Sequence, residues 1–176
     1  MERPTPIQNE LFIALTDGLM RDKEFLIQTA EACNSAYYHA TGQTPEPLFS
    51  NNERIVLLAG NDTEVITTKG IKKLATNTAG FFAVQEAVFA FSHENNCGPI
   101  DVLENIVGDD TDPKILDKAM TYAHATWLTI NGSKNGFTRT IVKPFDVLTD
   151  KEKKLDNIQI KTSAKMWLAA IKQNLN

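Results

Sequence analysis

The chain has little of the material from which stapled or fibrous proteins are made. Its 176 residues include only two cysteines, nine glycines and seven prolines. Cys33 and Cys97 make no disulfide framework and lack the spacing of a zinc knuckle or a CxxC redox pair, so a reducing compartment, the cytoplasm, is the expected location. So few glycines and prolines exclude collagen-like and low-complexity architectures. No apolar run reaches the length of a membrane span, so no membrane partner is expected. The start, Met1-Glu2-Arg3-Pro4, leads into a segment broken by Asp17 and Arg21 rather than into the apolar centre of a signal peptide. Excess positive charge is missing too. Eighteen basic residues against twenty-two acidic ones give a formal charge of -4 at pH 7, which weighs against long DNA or RNA, whose binding requires neutralising many phosphates. Two or three cationic groups in one pocket would still hold a small phosphorylated molecule.

Catalytic and metal templates are absent as well. There is no Gly-x-Ser-x-Gly elbow and no P-loop. His93-Glu94-Asn95-Asn96-Cys97 lacks the second histidine of a zincin, and Gly108-Asp109-Asp110-Thr111-Asp112 lacks the closing glutamate of a calcium loop. Glu86 and Glu94 are acidic, but nothing in the sequence pairs them for acid-base work. No enzyme activity, cofactor or metal is expected.

What is present is a composition of 42% hydrophobic and 23% charged residues, enough for a core that needs no staple. Leu11, Phe12, Leu15 and Leu19 recur at helical spacing over 7–21 behind Thr5 and Pro6, which suit an N-cap and a first-turn proline. Leu26, Ala30, Cys33 and Tyr37 continue the pattern over 22–41, with Asp22 as cap and Gly42 as terminator. From Thr44 to Thr68 the signals weaken. Pro45, Pro47, Asn51 and Asn52 mark loops, and Ile55–Leu58 and Val65–Thr68 read as short strands or a helical turn. Residues 69–94 carry Phe81, Phe82, Val84, Val88, Phe89 and Phe91 almost all round the cylinder, as in a helix buried on most faces. An amphipathic run through Ile100, Leu103 and Val107 follows Gly98-Pro99, and Asp112-Pro113 opens the next helix, to about Asn131. Thr149, with Glu152 placed as in a capping box, starts a last helix whose stripe is Ala164, Trp167, Leu168, Ile171 and Leu175.

The expected fold is therefore all-α, with five or six helices and a short β-hairpin over 53–68 left open. A helical N-terminal region covers 1–111 and a second unit covers 112–176. The two parts echo each other weakly, Ala32-Cys33-Asn34-Ser35-Ala36-Tyr37 against Tyr122-Ala123-His124-Ala125-Thr126-Trp127, which leaves duplication and chance both open.

The informative stretch is 119–168. His124 and Trp127 stand three apart and so side by side on one helical face. Pro144-Phe145-Asp146-Val147-Leu148 then leads into a helix carrying Glu152-Lys153 and Asp156. An indole beside an imidazole can stack on a flat base and hold its edge. Arg139 and Lys143, on the connection, are suited to phosphates. The ordered pieces His-x-x-Trp, Pro-aromatic-x-x-Leu and Glu-Lys-x-x-Asp resemble the ryanodine-receptor (RyR) repeat, a domain also found alone in bacterial and phage proteins. The chain departs from it where Asn131-Gly132 and Asn157 stand roughly at the points of a second aromatic and a basic residue. The resemblance implies an RyR-like helical unit and an adenine nucleotide held between aromatics of two copies, with Tyr37 or Tyr38 as the opposite wall. It also implies a bacterial or phage-infected cell, and a sensor or an anti-defence sponge that sequesters an ADP-ribose-like or cyclic-nucleotide signal.

Plainer readings stand beside these. Trp127 completes a stripe with Leu116, Ala119, Ala123 and Ile130 that suits a core, and His124 is equally suited to bonding a backbone carbonyl. The same aromatic face fits a protein-protein adaptor. A homo-oligomer is compatible with either, because the Phe-rich helix offers more apolar surface than a thin bundle covers.

Overall fold

A computed structural model describes the backbone of residues 6–59, 64–131 and 150–175. Every element among the described residues is a helix: α1 (Pro6–Arg21), α2 (Lys23–Ala40), α3 (Asn51–Ala59), α4 (Glu64–Asn95), α5 (Pro99–Val107), α6 (Pro113–Asn131) and α7 (Asp150–Leu175). The fold is all-α. None of these helices is long and apolar enough to cross a membrane.

Local chemistry sets most boundaries. Proline opens α1, α5 and α6, where its fixed φ suits the first turn and its missing N–H costs nothing. The Asp22 carboxylate accepts from the Phe25 N–H at 3.2 Å at the head of α2. Past its end Gly42 takes φ +73°, the left-handed conformation glycine adopts without penalty. Asp112 accepts from the Lys114 N–H at 2.9 Å before α6. The cap expected at Thr149 lies outside the described residues.

The hairpin left open over 53–68 is not found among the described residues, where α3 takes 53–59 and the start of α4 takes 64–68. The reason is a capping box. Ser50 Oγ accepts from the Glu53 N–H at 3.1 Å, and Glu53 Oε1 accepts from the Ser50 N–H at 3.1 Å. Two otherwise orphaned donors are thereby satisfied in a helical start. That preference outweighs the weak strand signal of Ile55–Leu58.

α4 is the central post, packed by α2, α3, α5, α6 and α7. The Lys118–Glu94 ion pair, at 2.7 Å, fixes the start of α6 beside the end of α4. α6 therefore runs back along α4. Both α2 and α6 pack on α4 and on α7.

The principal core is aromatic and centred on Trp167, which is fully buried. Its ring centroid lies 5.5 Å from Phe12, 6.0 Å from Phe81 and 6.3 Å from Phe89. The indole N–H donates to Thr16 Oγ1 at 3.1 Å, and that hydroxyl donates to the Phe12 carbonyl at 2.8 Å, so the buried polar atoms are satisfied. Around this centre lie Val84, Val88, Leu103, Ile106, Ile115, Ala119, Ile160 and Ile171, so the core draws on both 1–111 and 112–176. A second, smaller cluster of Ile27, Ala30, Phe49 and Leu57, edged by Leu48 and Leu74, lies under α3.

Candidate functional site

His124 is buried on α6, where Ile115, Ala119, Met120 and Ala123 are also buried. It takes part in interactions within the fold. Trp127 belongs to α6 one turn further on. Its side chain lies outside the described residues, as do Arg139 and Lys143.

Tyr37 and Tyr38 sit near the end of α2 with ring centroids 6.0 Å apart and planes at 77°, an edge-to-face pair. Tyr37 is exposed and Tyr38 is half-buried. Their carbonyls accept from the Thr41 hydroxyl at 3.0 and 3.2 Å, which fixes the helix end beneath the rings. The structure thus brings the two tyrosines to each other. α2, which carries them, and α6 both pack on α4 and α7.

On α7, which packs against α6, Asn157 Oδ1 is buried and, among the described residues, has no hydrogen-bond partner. An acceptor without a donor costs about 1–3 kcal/mol, so such an atom marks a place where a donor is wanted. Thr29 Oγ1, on α2, is in the same condition. Sequence reading placed Asn157 where the RyR-like pattern has a basic residue, but burial of its amide oxygen has no sequence signal.

Two further polar arrangements escaped sequence reading because their members are distant in the chain. Lys161 on α7 donates to the carbonyls of Ile106 at 2.7 Å and Gly108 at 2.8 Å, and to the Thr111 hydroxyl. It satisfies carbonyls left open at the end of α5 and offsets the negative pole of that helix. Burial lowers its pKa, with Asp109 opposing that shift. At the crossing of α2, α4 and α7, Cys33 Sγ lies 3.4 Å from Ser163 Oγ and 3.9 Å from the Gln159 carbonyl. Burial pushes the Cys33 thiol up to about 11, with the Ser163 hydrogen bond acting against it. At neutral pH this group is a protonated thiol and therefore a poor nucleophile.

Among the described residues no three His, Cys, Asp or Glu side chains gather as a group able to hold a metal ion. Glu94 is engaged with Lys118 rather than with Glu86. No family model, curated protein or solved structure matches this chain.

Proposed function

We propose that this protein binds a small nucleotide-derived ligand, of the ADP-ribose or cyclic-nucleotide kind, without converting it. The contacts we assign are a base stacked on Trp127, its edge held by His124, phosphates met by Arg139 and Lys143, and Tyr37 or Tyr38 as a second aromatic wall. The observation that carries the reading is the unsatisfied, buried Asn157 Oδ1 on α7, the helix packed against the one that bears His124 and Trp127. A base amino group is a donor of the kind this acceptor lacks. The resemblance of 112–175 to the RyR repeat supports the same ligand class, and suggests a signal sensor or an anti-defence sponge in the cytoplasm of a bacterium or phage-infected cell. A sponge needs tight binding and no catalytic group; nanomolar affinity corresponds to about 12 kcal/mol, within reach of several simultaneous contacts.

The test is calorimetric titration with a panel of adenine nucleotides, ADP-ribose and cyclic nucleotides, with native mass spectrometry of the mixtures. Trp127→Ala is expected to weaken binding by roughly 1–3 kcal/mol, about ten- to a hundredfold, while Trp127→Phe keeps much of it. Nucleotides returned chemically changed would displace the binding reading in favour of catalysis. Unchanged binding in a folded Trp127→Ala variant would remove the stacking contact.

A second reading, a protein-protein adaptor, is favoured by a different observation. Ile13 and Ile55 are 52% and 63% exposed, and Leu11 and Leu58 are exposed as well. Apolar surface of this kind on α1 and α3 suits a docking partner or a second copy of the chain. Light scattering of the purified protein reads the oligomer directly.

A further inference from the structure

The segment 42–59, which contains α3, is attached to the rest of the molecule differently from every other helix. α3 has one buried residue, Leu57, and the loop before it contributes Phe49. These two side chains rest on Ile27 and Ala30 of α2 and on Leu74 of α4, in a cluster separate from the principal core. The remaining ties are polar and partly exposed. Arg54 reaches Glu31 at 3.1 Å and Glu24 at 3.5 Å on α2. Lys73 on α4 holds Glu53 at 3.1 Å and donates to the Leu48 carbonyl at 3.1 Å. Asn34 donates to the Glu46 carbonyl at 3.0 Å. The helix also carries Ile55 and Leu58, both exposed among the described residues.

From this we infer that residues 42–59 form a strap that opens as a unit of its own, uncovering an apolar groove of Ile27, Ala30 and Leu74 while the other helices stay packed. A helix of nine residues is too short to persist in water by itself, so its helicity depends on the surface beneath it. Ion pairs that are only partly buried, as these are, are weakened by salt, whereas the aromatic centre around Trp167 is not held by charge. Salt therefore loosens the strap before it loosens the bundle. Local openings with few buried apolar contacts are the usual low-energy excursions of a native protein.

Hydrogen exchange of the whole chain, followed by mass spectrometry at low and high ionic strength, tests this. Amides of 53–59 are expected to exchange ahead of those in α2 and in the 79–91 part of α4, and faster still in high salt. Arg54→Met and Lys73→Met are each expected to speed exchange in 53–59 by roughly two- to fivefold, the opening constant that one partly exposed ion pair supports, with the rest of the chain unchanged. If 53–59 exchanged only together with α2 and α4, the strap would not be a separate unit. Early exchange indifferent to salt and to both variants would equally overturn it, because the charged clasp would then hold nothing.

Discussion

Two clusters of apolar side chains hold this molecule, and they teach different things. Around Trp167, four aromatic rings from α1, α4 and α7 meet with their polar atoms satisfied, and six of the seven helices contribute to one core. Under α3, two side chains lie on two helices, and charge supplies the remaining ties. The first arrangement makes distant parts of the chain cooperative, since no helix can leave without opening the centre. The second makes a segment separable. Size and satisfaction of a core, rather than the mere presence of apolar residues, decide whether a helix belongs to the global unfolding unit.

The largest test of that contrast is a pair of truncations. Trp167→Ala is expected to cost about 3–5 kcal/mol, since it empties a fully enclosed aromatic site. Leu57→Ala is expected to cost about 2 kcal/mol, the low end for leucine, because the strap can lift instead of leaving a void in the bundle. Urea titration of both variants measures the difference. Equal losses would break the comparison and make the two clusters one unit.

Alkaline titration probes the packing of α2 on α7 at Cys33. The Cys33 pKa in the folded state is about 11, raised from 9.0 by burial. A raised pKa means that the folded state holds its proton longer than the unfolded chain, so this stabilisation is complete below about pH 9 and disappears as pH rises toward 11. Wild type is expected to lose up to about 2–3 kcal/mol more than Cys33→Ala across that window. Subtracting the variant removes whatever the two proteins share. At neutral pH a thiol reagent should label the half-buried Cys97 well ahead of Cys33.

The smallest effect contrasts two glycines. A Cβ on Gly80 would stand 3.1 Å from Ser163 Oγ and 3.2 Å from the Gln159 carbonyl, and the latter is backbone that cannot turn aside. Gly80→Ala is expected to lose about 1 kcal/mol net, as steric cost exceeds the gain in helix propensity. At Gly18 nothing lies within 4 Å, so Gly18→Ala is expected to gain about 0.5–1 kcal/mol. Thermal denaturation reads both signs. A gain at Gly80 would show that α4 and α7 are less closely packed than the geometry indicates.

The helices were legible where their own residues announced them. Asp22, Pro99, Asp112 and Pro113 mark boundaries that the structure keeps, because a cap or a first-turn proline acts within one turn of chain. The all-round apolar pattern of 81–91 foretold a central helix, and Phe81, Val84 and Val88 are fully buried. Residues 51–59 were harder, since Ile55–Leu58 suits a strand as well as a helix. The box of Ser50 and Glu53 was present in the sequence but stood in a stretch dominated by loop residues.

The site was less legible than the fold. Sequence reading singled out His124 for a face it shares with Trp127, and the structure adds that it is buried. It also paired Tyr37 or Tyr38 with that face, and the structure shows the two tyrosines edge to face near the end of α2. Asn157, Lys161 and Cys33 acquire their significance from neighbours elsewhere in the chain. No spacing rule could have named those partners.

By itself, then, the sequence determined that the chain is helical, where most helices begin, and which stripes are apolar, because those properties depend on residues within a few positions of one another. The tertiary structure decided that Trp167 sits at the centre of a core, which glycine permits a helix crossing, and which helix is strapped on by charge. Each of these depends on which side chains share a volume, and the order of residues along a chain does not by itself assign the corners of a helical bundle.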